Sequence, residues 1–262
     1  MKVDLHNHLG RNGQNPGFDE TINLVYSRLG NNSIFGVTNC TSGDHRFENF
    51  TNQKGKYTHD WLDEEKRILF VPEKQIYIIG TEEVQTKQGH LLIAGMPSDK
   101  KIQKTDKTLS LEDALTCADD FNGIKIAVHP FSKDGLGDYL TPNQDLCENL
   151  DGWEVYNASA ELAIPGILPK DANKRSMEFY NLYLENKYPL GMCAFTDGHS
   201  VEVIGRSYTD YSGISQEDLL SSLKQEIKGN KYFRNLHMEP AKGDALKHAC
   251  NIAKDRFFKT GA

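Results

Sequence analysis

Seven short runs of strand-forming residues, 2–4, 34–38, 75–81, 91–94, 125–128, 152–156 and 190–195, alternate with six helix-like runs, 19–29, 60–69, 111–121, 171–186, 216–228 and 244–258. Alternation of this kind predicts helices packed on a parallel sheet. About seven strand–helix units lean toward a closed barrel, which gathers the C-terminal ends of its strands at one mouth. Any chemistry should sit there. Several helices carry start signals: Ser110 precedes LEDALTCADDF with Asp113 three residues on, and Ser215 precedes QEDLLSSL, both suited to capping the first turn.

The strand ends are rich in metal-ligand residue types. His6 and His8 follow the first strand as H-x-H, and in extended chain residues two apart face the same way. Glu82 and Glu83 follow QIYIIGT, His90 opens HLLIAG, His129 ends KIAVHP, Glu154 lies in GWEVYNA, and Asp197 and His199 end LGMCAFTDGHS. His45, His59, His237 and His248 fall in loops or helical runs and are read as ordinary. Imidazole nitrogen combined with carboxylate oxygen suits zinc, manganese or iron. A carboxylate can bridge two cations, and a cation pair can bind the attacking and leaving oxygens of a phosphoryl group. The chain has no G-x-S-x-G, no phosphate-cradling glycine loop and no C-x-x-C, so metal-assisted hydrolysis is the main enzymatic reading left.

Bulk properties remove other classes. The formal net charge of -7 over 262 residues argues against a broad basic surface for nucleic acid or anionic lipid. No apolar run approaches the ~18 residues of a membrane helix. The N-terminus shows no signal-peptide pattern, and five scattered cysteines fit reduced thiols; both point to a cytoplasmic protein. The lysine-rich stretch 98–108 and the polar stretch 43–57 read as loops.

The motifs D-L-H-N-H, G-T-E, H-L-L-I-A-G, V-H-P, W-E-V-Y-N and T-D-G-H-S…I-G-R occur in that order from residue 1 to 206. In this the chain resembles the PHP (polymerase and histidinol phosphatase) family of metal-dependent phosphoesterases. The resemblance implies an α/β fold, a distorted (β/α)7 TIM-like barrel with two or three divalent ions (Zn, Mn or Fe) at its mouth. Carried over residue by residue, His6, His8, Glu82 and Asp197 would hold one metal. Glu82, His90 and His129 would hold a second, with Glu82 as the bridge, and His199 would belong to a third. Glu82, Asp197 and His199 would be the catalytic set, and Arg206 would lie near the mouth and face a phosphate oxygen. Glu82 rather than Glu83 matches the family's G-x-E spacing, and strand alternation allows only one of the two to be a ligand. Glu154 and Asn157 match a motif of supporting residues, with Glu154 hydrogen-bonding a ligand histidine.

Two departures erode the third position. The loop LGRNGQNPG after H-x-H has no acid or histidine, and Thr38-Asn39-Cys40 stands where the family has T-D-H. Cys40 is either a thiolate ligand in place of the histidine or a small buried side chain; Asp44 and His45 follow in the same loop. The expectation is a single PHP-type barrel over 1–262, with 232–262 a C-terminal helical extension packed on it. Its function would be hydrolysis of phosphate esters, on a small phosphorylated metabolite or nucleotide. A nuclease acting on nucleic acid ends and a non-catalytic binding or scaffold module are the alternatives.

Overall fold

A computed structural model describes residues 1–9, 16–40, 45–102, 108–162 and 171–240. Seven strands form the barrel wall in the order β1 (Lys2–Asp4), β2 (Ser33–Asn39), β5 (Ile76–Gln85), β6 (His90–Ala94), β7 (Ile124–Ala127), β8 (Gly152–Asn157) and β9 (Gly191–Phe195). A parallel bridge between Asn7 and Gly198 joins the first and last just beyond their ends, with His8 N donating to Gly198 O at 2.7 Å. Lower down, β10 (Ser207–Asp210) lies antiparallel to β1 and carries β11 (Leu236–Met238) outside it. The buried Asp4 carboxylate accepts from Thr196 N, Thr196 Oγ1 and Gly205 N, which ties β1 to the segments after β9. The result is the nearly closed, distorted α/β barrel.

The sheet is mixed rather than parallel throughout. β6 runs antiparallel to both β5 and β7, because β5 reaches it through a tight turn at Thr86–Gly89 and not through a crossover helix. Reversal puts the first residue of β6, His90, at the same mouth as the last residues of its neighbours. Residues 60–69, expected as a helix, instead hold the short strand β3 (Asp60–Trp61) and the start of β4 (Ile68–Val71). β4 pairs antiparallel with the first half of β5, Phe70 stacking on Tyr77; tertiary pairing here overrides local helix preference.

The helices bury one face each. Over α1 (Phe18–Leu29), Phe18, Ile22, Val25 and Leu29 recur at helical spacing, with Asp19 and Glu20 in the first turn. α3 (Leu111–Asp119) is capped as its sequence predicts, Ser110 Oγ accepting from Asp113 N at 3.1 Å. The expected loop 43–57 contains the short helix α2 (Arg46–Thr51), whose first N–H groups are accepted by Asn39 Oδ1. A single turn, α4 (Gly137–Leu140), precedes β8. α5 (Ala172–Phe179) gives way to a π-turn at Tyr180–Leu184, shorter as an α-helix than the expected 171–186. α6 (Leu219–Gly229) seals the end opposite the mouth, Ile227 O pressing on Gly191 and Asn230 bonding Met192 O. The expected helix 244–258 lies outside the described residues. No described helix is long and apolar enough to cross a membrane.

Inside the barrel, Val3, Leu5, Ile34, Tyr77, Ile79, Leu92, Ile124, Ile126, Cys193 and Phe195 form one apolar plug. The opposite phase of the same strands, such as Phe35, Ile78, Leu91 and Trp153, packs outward against helices. Gly36 lets β2 approach β1 closely, since a Cβ there would collide with the Leu5 backbone.

Candidate metal centre

Following the inward phase of four strands, β5, β6, β9 and β2, up to the mouth leads to the site. On β5 the inward residues are Tyr77 and Ile79, then Thr81 and Glu83. On β6, Leu92 and Ala94 share their face with His90, and on β9, Cys193 and Phe195 lead to Asp197. On β2, Ile34, Gly36 and Thr38 lead to Cys40. Apolar side chains thus fill the barrel, and at the mouth the same faces switch to imidazole, carboxylate and sulfur.

The carboxylate in the centre is Glu83, which corrects the choice of Glu82. Glu83 Oε1 lies 2.8 Å from His90 Nδ1 and 2.9 Å from His129 Nε2, and Glu83 Oε2 lies 3.4 Å from His8 Nε2. Glu82 is on the other face, where Oε2 accepts from Ile102 N at 3.1 Å. The signal for Glu83 was the strand's phase, but Ile76–Ile79 is apolar on both faces, so polarity alone could not fix it.

His6, His8 and Asp197 form a second group around the same point. His6 Nε2 is 3.0 Å from His8 Nε2, and Asp197 Oδ1 is 3.5 and 3.3 Å from these two nitrogens. His6 Nε2 is also 3.7 Å from Glu83 Oε1, which joins the two groups. His199 Nδ1 donates to the carbonyl oxygen of Asp197 at 2.9 Å, and its ring lies 4.7 Å from that of His8. His129 and Asp197 both hold positive φ, 30° and 53°, the backbone strain often found at functional sites.

Supporting groups surround this set. Glu154 Oε2 accepts from His129 N and, at 3.1 Å, from Asn157 Nδ2, while Glu154 Oε1 faces His6 Nδ1 at 3.7 Å. Asn157 Nδ2 also reaches Asp197 Oδ2 at 3.3 Å. Arg46, a residue the sequence did not single out, places Nη1 3.4 and 3.3 Å from the carbonyl oxygens of His8 and Leu9. Arg206, expected near the mouth and facing a phosphate oxygen, pairs with Glu239 at 2.6 Å, each residue standing next to the strand pair β10–β11.

Burial and charge set the protonation of the metal-free cluster. Burial alone would lower the His6 pKa, but the Asp197, Glu154 and Glu83 carboxylates outweigh it and raise it to about 10. His129 is likewise pulled down by burial and raised on balance by Glu83. Burial raises Glu83, yet His90, His129 and His8 hold it well below the carboxylate range. Asp197 is raised, by burial above all.

The residues fit metal ions. Four ligands at about 2.0–2.2 Å around a tetrahedral ion stand roughly 3.3–3.6 Å apart, and the His6–His8–Asp197 triangle has sides of 3.0, 3.3 and 3.5 Å. Asp197 Oδ1 is buried without a hydrogen-bond partner although three histidines surround it, a costly state that a cation relieves. Three overlapping sets have ligand atoms within 4.8 Å of one another: His6/Glu83/His129, His6/His8/Asp197 and His8/Cys40/Glu83.

No protein-family model matches the sequence. No curated relative matches it. Solved structures do. PsfC from Pseudomonas syringae superimposes with a TM-score of 0.63 over 98% of each chain at 12% identity. A two-domain protein from Bacteroides vulgatus, described as containing a predicted PHP-like metal-dependent phosphoesterase, gives 0.51 at 15% identity, over 87% of this chain and 63% of that one. The lesion-specific endonuclease EndoQ from Pyrococcus furiosus gives 0.53 at 13% identity, over 87% and 56%. At such identities the likeness is one of fold: this chain has the barrel of proteins that include a PHP-like phosphoesterase and an endonuclease.

Proposed function

We propose that the chain is a metal-dependent phosphoesterase of the PHP type, acting on a small phosphorylated metabolite or nucleotide. The observation that carries this is Glu83 lying between two histidine groups, Oε1 toward His90 and His129 and Oε2 toward His8. In this reading His6, His8, Asp197 and Glu83 hold one divalent ion, and Glu83, His90 and His129 hold a second. Such ions supply a polarised phosphoryl oxygen and an acidified water. The chain's own groups do the rest. Glu154 faces His6 and bonds the His129 backbone, and Asn157 holds Asp197, so the ligands are oriented before an ester arrives. His199 donates a hydrogen bond from Nδ1–H to the Asp197 carbonyl oxygen, which makes Nε2 its basic nitrogen, suited to proton exchange with a bound ester. Arg46, anchored beside His8, adds positive charge at the rim of the site.

Nuclease action is the second reading, favoured by the fold shared with EndoQ and opposed by the net charge of -7. A binding or scaffold role is opposed by the number of converging ligand-type residues. The test is a substrate panel with protein reconstituted in zinc, manganese or iron(II). Release of phosphate from nucleoside monophosphates, sugar phosphates or an aryl phosphate, without cleavage of single-stranded DNA, is the expected result. Cleavage of DNA alone would move the assignment to a nuclease, and no turnover of either to the binding module.

A further inference from the structure

The two histidines of H-x-H are held from behind by different chemistry. His6 presents Nε2 to the cluster and Nδ1 to Glu154 Oε1 at 3.7 Å. His8 presents Nε2 to His6, Asp197 and Glu83 at 3.0, 3.3 and 3.4 Å. Its other nitrogen, Nδ1, lies 2.9 Å from the sulfur of Cys40. Both partners are buried, at 1% and 2% exposure, and Cys40 is in no disulfide.

From this we infer that Cys40 is a positioning residue for His8: its sulfur accepts a hydrogen bond from Nδ1–H, fixes the ring's tautomer and aims the Nε2 lone pair into the cluster. The inference rests on the metal-centre reading. A histidine cannot turn the same nitrogen to the cluster and to a group behind it, and here the near nitrogen is Nε2. The ligand histidines of metal sites nearly always donate their second N–H to a fixed acceptor, which sets their basicity and orientation. Usually that acceptor is a carboxylate, a carbonyl or water; behind His6 stands the Glu154 carboxylate, facing Nδ1 at 3.7 Å. For His8 the inward phase of β2 delivers a thiol instead, one residue past the strand end. The neighbouring Asn39 faces outward and is used to cap α2. The asymmetry gives His8 a softer, more weakly polarising support than His6.

The test titrates zinc into the metal-free full chain against a competing chelator, for wild type, Cys40→Ser and Cys40→Ala, and records the absorption spectrum of the cobalt(II)-loaded wild type. Expected are a roughly 10- to 100-fold loss of zinc affinity in Cys40→Ala and partial recovery in Cys40→Ser, which keeps an acceptor. The wild-type cobalt spectrum should show no sulfur-to-metal charge-transfer band. Equal affinity in all three proteins would overturn the inference. So would a charge-transfer band in wild type, which would make the sulfur a ligand itself, a result that needs no variant to fold. Wild type that takes up neither metal would overturn the metal-centre reading as well, and so separates that failure from this one.

Discussion

Glu83 and His129 meet at 2.9 Å across 46 residues of chain, Oε1 against Nε2, and His90 closes on the same oxygen at 2.8 Å. One carboxylate oxygen receiving two imidazole nitrogens, while its partner oxygen faces a third, organises the whole mouth.

Replacing Glu83 should therefore disable both metal positions at once. Glu83→Gln is expected to lower metal affinity by more than the roughly 100-fold typical of losing a supporting group, and phosphate release with it. Glu82→Gln should leave metal content and turnover near wild type. It weakens the acceptor for Ile102 N, so its cost should appear as about 1–3 kcal/mol of stability. Parallel chelator titrations and denaturant melts of the two variants separate these outcomes.

Glu154 bonds the backbone of one ligand histidine, His129, and faces the ring of another, His6. Glu154→Gln should lower metal affinity about 10- to 100-fold, and saturating metal should restore most of the turnover. A variant that stays inactive at saturating metal would give Glu154 a direct part in the chemistry.

The metal-free protein should lose stability as pH rises. The folded His6 pKa of about 10 stands above its ordinary 6.5, and His129 is raised in the same sense. Such groups stabilise fully below the unfolded pKa, and the contribution is lost as pH climbs through the folded one. The melting temperature of metal-free protein should thus fall from pH 6.5 upward. Metal binding needs neutral imidazole, so the rise in melting temperature on adding zinc should grow between pH 6.5 and 8.5.

Gly36 links the fold to the site, because it brings β2 against the strand that delivers H-x-H. Gly36→Ala should cost about 1–3 kcal/mol or more through overpacking and lower metal affinity by displacing His6 and His8. Thermal melting and chelator titration of the one variant read both effects.

Much of this was legible in the sequence where period and position carried the information. All seven wall strands lie where the β-forming runs put them, and His6, His8, His90, His129 and Asp197 converge on one mouth as strand-end residues should. What the sequence hid has physical causes. Glu82 and Glu83 could not be ordered by polarity on a strand apolar on both faces. β3 and β4 form because β5 offers an edge to pair with, a fact of tertiary structure. Arg206 finds Glu239 through the pairing of β10 with β11, which no local spacing announces. Cys40 could be placed beside His8 only once β1 and β2 were seen side by side.

The most direct test of the central claim is the metal content per chain of purified wild type and Glu83→Gln, measured by elemental analysis after reconstitution and removal of excess metal. A metal centre bridged by Glu83 predicts two or more ions in wild type and near zero in the variant. Near zero in wild type, or an unchanged value in the variant, would contradict it.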